Sequence, residues 1–110
     1  MVISRTQLET VRKEIGGHTS WAVWSPVGAK PKSNVGDLSI FNDEEKLATT
    51  LKKLNPDIVL AGLNGSTGDT AATIGAIPFG NFHSGWSRAQ DYKIRFATIG
   101  TALEGAFMTD

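Results

Sequence analysis

The chain has 110 residues, enough for one domain with a modest core. Forty per cent of the residues are hydrophobic and 20% charged, which excludes a disordered tail, a collagen and a coiled coil. Eleven Lys and Arg balance eleven Asp and Glu, so the basic excess of a dedicated nucleic-acid binder is missing and any such role must rest on a local patch.

The absence of cysteine removes disulfides, thiol chemistry and cysteine-ligated zinc. His18 and His83 stand far apart in sequence, and neither a metal site nor a cofactor is expected. No apolar run approaches the ~20 residues of a membrane span. Met1 to Gly17 carries charges throughout, unlike a signal peptide, so the expectation is a cytoplasmic protein without a membrane partner.

The first helix is expected from Ser4, an N-cap whose capping box Gln7 completes, to a stop at Gly16-Gly17. Leu8, Val11 and Ile15 give it one narrow apolar stripe. Trp21-Ala22-Val23-Trp24 follows as a short strand, placed at residues 20–25. Its two tryptophans face opposite sides of a regular strand and suit a core; a stacking platform for a base is the alternative. Residues 26–41 form a loop punctuated by Pro26, Gly28, Pro31, Asn34 and Gly36. Lys30 and Lys32 within it are a compact basic pair, solvated or touching phosphate.

A second helix, 42–54, is expected with Asn42 as its cap, Glu45 at the capping-box position and Leu47, Leu51 and Leu54 as its buried stripe. Asp57 to Leu63 is then a continuous apolar run without alternation, the pattern of a central strand buried on both faces of a parallel sheet. The order strand, helix, strand implies a right-handed crossover. Asn64 to Thr70 lies where ligands bind in open parallel sheets, outside a strand's carboxyl end. A long irregular stretch runs on to Trp86. A third helix, 87–98, is expected with Ser87 as cap, Ala89, Tyr92, Phe96 and Ile99 facing inward and Arg95 among the residues on the other faces. Residues 105–109 form a last buried strand.

The common catalytic patterns are missing: there is no Walker phosphate loop, no dinucleotide fingerprint and no nucleophile elbow to support Ser66, His83 and Asp110 as a triad. At the strand end, Leu60-Ala61-Gly62-Leu63-Asn64-Gly65-Ser66 resembles the first motif of the uracil-DNA glycosylase superfamily, closest to its mismatch-specific thymine/uracil branch, in which a hydrophobic strand ends in Gly-Ile-Asn-Pro-Gly. The stretch Phe79-Gly80-Asn81-Phe82 is similar to the loop that follows in that family, and Ala106 to Asp110 to the start of its next strand. The resemblance covers roughly residues 55–110. It implies that Asn64 orients a water toward C1′ of a flipped nucleotide. It also implies that Phe79 or Phe82 stacks on the base, and that Gly62, Gly65, Ser66 and Asn81 complete the substrate site. A turn or helix-cap role is the other reading of Asn64.

The family's second motif, often His-Pro-Ser, has no counterpart before Asp110, and Gly65 replaces the proline of the first motif. The expected architecture is a three-layer α/β domain with a small, mostly parallel sheet over residues 1–110, an incomplete glycosylase-like fold and the N-terminal part of a larger domain. The expected function is a glycosylase-like nucleic-acid-processing domain, inactive in this length, with weak binding of DNA or a nucleobase. The alternative is a non-catalytic nucleotide- or protein-binding assembly module. A homo-oligomer is expected because the last strand, with Phe107 and Met108, would end an unfinished sheet.

Overall fold

A computed structural model describes residues 3–62, 77–85 and 89–109. Helix α1 (Arg5–Ile15) begins where the sequence places it. Ser4 Oγ accepts from Gln7 N–H at 3.1 Å, and Ser4 N–H donates to Gln7 Oε1 at 2.8 Å, so two of the helix's orphan donors are satisfied reciprocally. Strand β1 (Thr19–Trp21) follows after one turn.

The predicted second helix is two helices, α2 (Ser39–Asn42) and α3 (Glu44–Leu51). Asp43, not Asn42, is the cap of α3. It leaves the helical region at ψ 124° and its carboxylate accepts from Glu45 N–H at 3.0 Å, while Glu44 and Glu45 face the positive end of the helix dipole. Strand β2 (Asn55–Ala61), helix α4 (Asp91–Thr98) and strand β3 (Ala106–Thr109) complete the described elements. Gln90 precedes α4; Ser87, its predicted cap, lies outside the described residues.

The chain is an α/β domain with a mixed sheet of order β1-β3-β2. β3 pairs antiparallel with β1, through Ser20 opposite Met108 and Trp21 opposite Phe107. It pairs parallel with β2, through Val59 opposite Phe107 and Leu60 opposite Met108. The β2–β3 register slips between Asn55 and Val59, around Pro56, which has no N–H to give a ladder.

This order corrects four expectations. The sheet is mixed rather than mostly parallel. The apolar run 57–63 does not form the central strand: among the described residues β2 is at the sheet's edge, its side chains alternate in exposure, and Val59 is 57% exposed. The central place belongs to β3, so its last residues are flanked on both sides and supply no unfinished edge for a second copy to cover. The parallel unit is β2–α4–β3, and β1 is not a neighbour of β2.

Alternation along β3 separates two apolar clusters. Phe107 joins the larger one, meeting Trp21 edge-on at 5.0 Å alongside Leu8, Phe41, Leu47 and Phe79 from the surrounding helices and loops. Ala106 and Met108 join the other, with Ala22 and the half-buried Trp24, Ile58, Leu60, Phe82 and Ile94. The predicted stripe of helix α4 holds at its start, where Ala89 is buried and Tyr92 half-buried, and fails at its end: Phe96 and Ile99 are 48% and 51% exposed, whereas Arg95 and Thr98 are buried. Gly105 enters β3 at φ +84°, where a Cβ would stand 1.7 Å from Lys53 O. Only glycine lets the chain pass this close to the end of α3.

Candidate functional site

Asn64, Gly65 and Ser66 lie outside the described residues. Gly62 stands at the carboxyl end of β2, and its N–H donates to Thr109 O at 2.8 Å. The three remaining residues of the expected site belong to the segment 77–85, which is fastened to the residues flanking β1. Phe79 N–H donates to Gly16 O at 2.8 Å, and Asn81 Nδ2 donates to His18 O at 2.9 Å. Trp24 Nε1 donates to Phe82 O at 3.1 Å. Phe79 and Phe82 hold φ of 61° and 65°, a left-handed backbone that costs a side-chain-bearing residue about 1 kcal/mol or more and persists only where surrounding contacts impose it.

These anchors decide what the aromatic pair does. The Phe79 ring is fully buried, 5.1 Å from the Phe41 ring and 5.3 Å from the Arg12 guanidinium carbon. It fills the core and, in this conformation, offers no face to a base. Phe82 is half-buried against the second cluster. The Asn81 side chain is buried, with its amide spent on the His18 carbonyl.

His83 closes the same segment. Its Nε2 lies 2.8 Å from Val23 O, and its Nδ1 lies 3.0 Å from Asn81 O and 3.2 Å from Ser20 Oγ. Burial pushes the imidazole below its ordinary range, and the nearby Arg95 charge acts in the same direction, against the two backbone carbonyls. The ring is therefore neutral at pH 7, with one N–H, which the shortest contact assigns to Nε2 on Val23 O, while the Ser20 hydroxyl gives its one proton to Phe79 O at 3.1 Å. Ser20 is inaccessible and His83 only 3% exposed, so this Ser–His pair is a packing contact and not a nucleophile with its base.

An open site lies elsewhere. A cleft of about 690 Å³ opens between α3 and α4, over the chain leaving β1 at residues 22–26. Its volume falls within the range of small-molecule sites. Val23, Trp24, Pro26, Ile40 and Ile99 supply apolar walls. Ser25, Thr50, Thr98 and Arg95 are its buried polar residues, and Glu45, Lys46, Lys53 and Glu104 stand nearer solvent. The Thr50 and Thr98 hydroxyls each give their proton to the carbonyl four residues back, Lys46 O at 3.0 Å and Ile94 O at 2.9 Å. What they retain for a ligand is acceptor capacity.

Two charged residues organise the wall. Asp37 accepts from Ser39 N–H at 2.9 Å and from the Ser25 hydroxyl at 3.0 Å. The Ser39 backbone contact, before its hydroxyl and that of Ser25, holds the carboxyl below the usual carboxylate range. Arg95, 1% exposed, donates to Ser25 O at 3.2 Å, Pro31 O at 2.7 Å and Ser33 O at 3.0 Å, tying the 26–34 loop to α4. Burial lowers its proton affinity, but a guanidinium stays charged near neutral pH. Sequence reasoning placed Arg95 on a solvent face and missed the cleft, because its walls come from five separate stretches of the chain.

Among the described residues no group of three or more His, Cys, Asp or Glu is arranged to hold a metal, and no helix is long and apolar enough to cross a membrane. No protein-family model, curated protein or solved structure matches this chain.

Proposed function

We propose that this chain is a non-catalytic binding module that holds a nucleoside-sized molecule in the α3–α4 cleft. The observation that carries this reading is the cleft itself: about 690 Å³, apolar on several walls, with buried hydroxyl acceptors at Thr50 and Thr98. A flat heterocycle with N–H donors fits that chemistry, its ring against the apolar walls and its donors on the threonine oxygens. No described nucleophile–base pair reaches the cleft, which supports binding rather than turnover. The test is an NMR titration with adenosine. Shifts grouped at Trp24, Thr50 and Thr98 are expected; no shifts at millimolar ligand, or shifts grouped elsewhere, would overturn the reading.

A second reading keeps a glycosylase-like role for the carboxyl end of β2, with Asn64 as the water-orienting residue. It is favoured by the parallel β2 and β3 ending side by side, joined from Gly62 N–H to Thr109 O. Its test is excision from a uracil-containing duplex: release abolished by Asn64→Ala would support it, and absence of release would overturn it.

A further inference from the structure

The charges around the cleft are not distributed evenly with depth. Lys46, Lys53, Glu45 and Glu104 stand where water screens them. Asp37 is half-buried, and its charge is met by the Ser39 N–H, the Ser25 hydroxyl and Lys46. Arg95 alone among these is both charged and covered from solvent, at 1% exposure. Its two terminal nitrogens reach three neutral carbonyls, its Nε has no hydrogen-bond partner, and no carboxylate lies within ion-pair distance of it among the described residues.

A buried cation without a counter-ion is an unusual arrangement, because desolvation is offset only by a full set of partners. Carbonyl dipoles solvate the guanidinium but do not cancel its charge. Its field therefore reaches the cleft that Arg95 lines. At the mouth, Lys53 forms no ion pair among the described residues, whereas Lys46, hydrogen-bonded to the Ser39 hydroxyl at 2.9 Å, already offsets Asp37. The last turns of α3 and α4 also line the cleft, and their dipoles oppose an anion. Their carbonyls are already engaged, however: Thr50 O with Lys53 N–H, Arg95 O with Ile99 N–H and Thr98 O with Thr101 N–H.

We propose that the cleft selects an organic anion, a flat apolar body carrying a phosphate or carboxylate, through the uncompensated charge of Arg95 and the ammonium of Lys53. This rests on the cleft being the binding site and adds the sign of the ligand's charge. The apolar body lies on the Trp24 side and the acidic group toward Lys53, where an ammonium can reach it without opening the Arg95 contacts. Arg95 is a positioning residue in this scheme: it fixes the 26–34 wall and sets the field, and need not touch the ligand.

Adenosine and adenosine monophosphate, which share a base and sugar and differ by one phosphate, separate the two claims when titrated by calorimetry. The nucleotide is expected to bind roughly tenfold more tightly at low salt, a difference of about 1.4 kcal/mol, and the ratio to shrink as ionic strength rises. Lys53→Gln should cut the ratio by about threefold, since it removes the ammonium that meets the acidic group, and Lys53 is exposed and carries no fold contact through that ammonium. Equal affinities for the two ligands, or a ratio indifferent to salt and to Lys53→Gln, would overturn the anion preference and leave the cleft standing. Failure of both ligands to bind would overturn the cleft as a site for this ligand class and the anion preference with it.

Discussion

Gly105 and Ser4 show two ways in which a single residue commits the backbone. At Ser4 the commitment is local, a hydroxyl and a glutamine three residues on that exchange hydrogen bonds, and it is readable from the spacing alone. At Gly105 it is imposed by a distant partner: Lys53 O occupies the space a Cβ would need, and the positive φ adds strain for any other residue. Gly105→Ala is therefore expected to destabilise the fold by ~3 kcal/mol or more, measured by urea unfolding. An effect below ~1 kcal/mol would mean that the β3 entry can move away from α3.

Among the elements, β2 and the end of α4 place their apolar residues against expectation. Val59 lies on an edge strand and is 57% exposed, so Val59→Thr should change stability by less than ~0.5 kcal/mol. A central strand buried on both faces would have lost ~1–3 kcal/mol from the same change, through the buried hydroxyl. Unfolding midpoints distinguish the two. In α4 the decisive side chain is Arg95. Arg95→Met keeps much of the volume but removes every donor, leaving the Ser25, Pro31 and Ser33 carbonyls without it. A loss of ~2–4 kcal/mol is expected, with increased amide exchange at residues 26–34 as the local sign. Loss of stability with that loop still protected would show that the guanidinium does not tether it.

For the molecule as a whole, acid stability is governed by groups whose folded proton affinities depart from their ordinary values. The His83 imidazole is depressed by burial, so the unfolded chain takes up a proton near pH 6.5 while the folded chain does not. Stability from this group is fully present above pH 6.5 and falls below it, by up to ~1.4 kcal/mol per pH unit, until the folded imidazole also protonates. Asp37 is likewise depressed, by the hydrogen bonds from Ser39 and Ser25. Its contribution is present above the ordinary carboxylate range and disappears as pH falls through its lower folded value, in a separate, more acidic window. Urea unfolding between pH 8 and 5 should show the first decline, and His83→Gln should flatten it; a decline of equal slope in that variant would assign the effect to another group.

What the sequence determined by itself is what neighbouring residues decide together: the α1 capping box, the presence of three strands near residues 20, 58 and 107, and the α/β class. The split at Asp43 and the inward face at the end of α4 were less legible, because several polar side chains can cap and an amphipathic stripe names an inside only if apolar residues are the ones buried. In α4 Arg95 is buried instead, held by carbonyls from sixty-two to seventy residues away in the chain. Strand order, too, belonged to the tertiary structure. The run Ile58-Val59-Leu60 is compatible with either a middle or an edge strand, and pairing β3 with both others settled the matter over separations no local pattern records. The expected glycosylase-like site relied on a motif at residues 60–66 and two nearby phenylalanines, whereas Phe79 is consumed by the core through its packing on Phe41 and Arg12. The cleft was invisible for the same reason that it exists: a cavity is the space left between segments, and only the folded arrangement of α3, α4, residues 22–26 and the Arg95-tethered loop defines it.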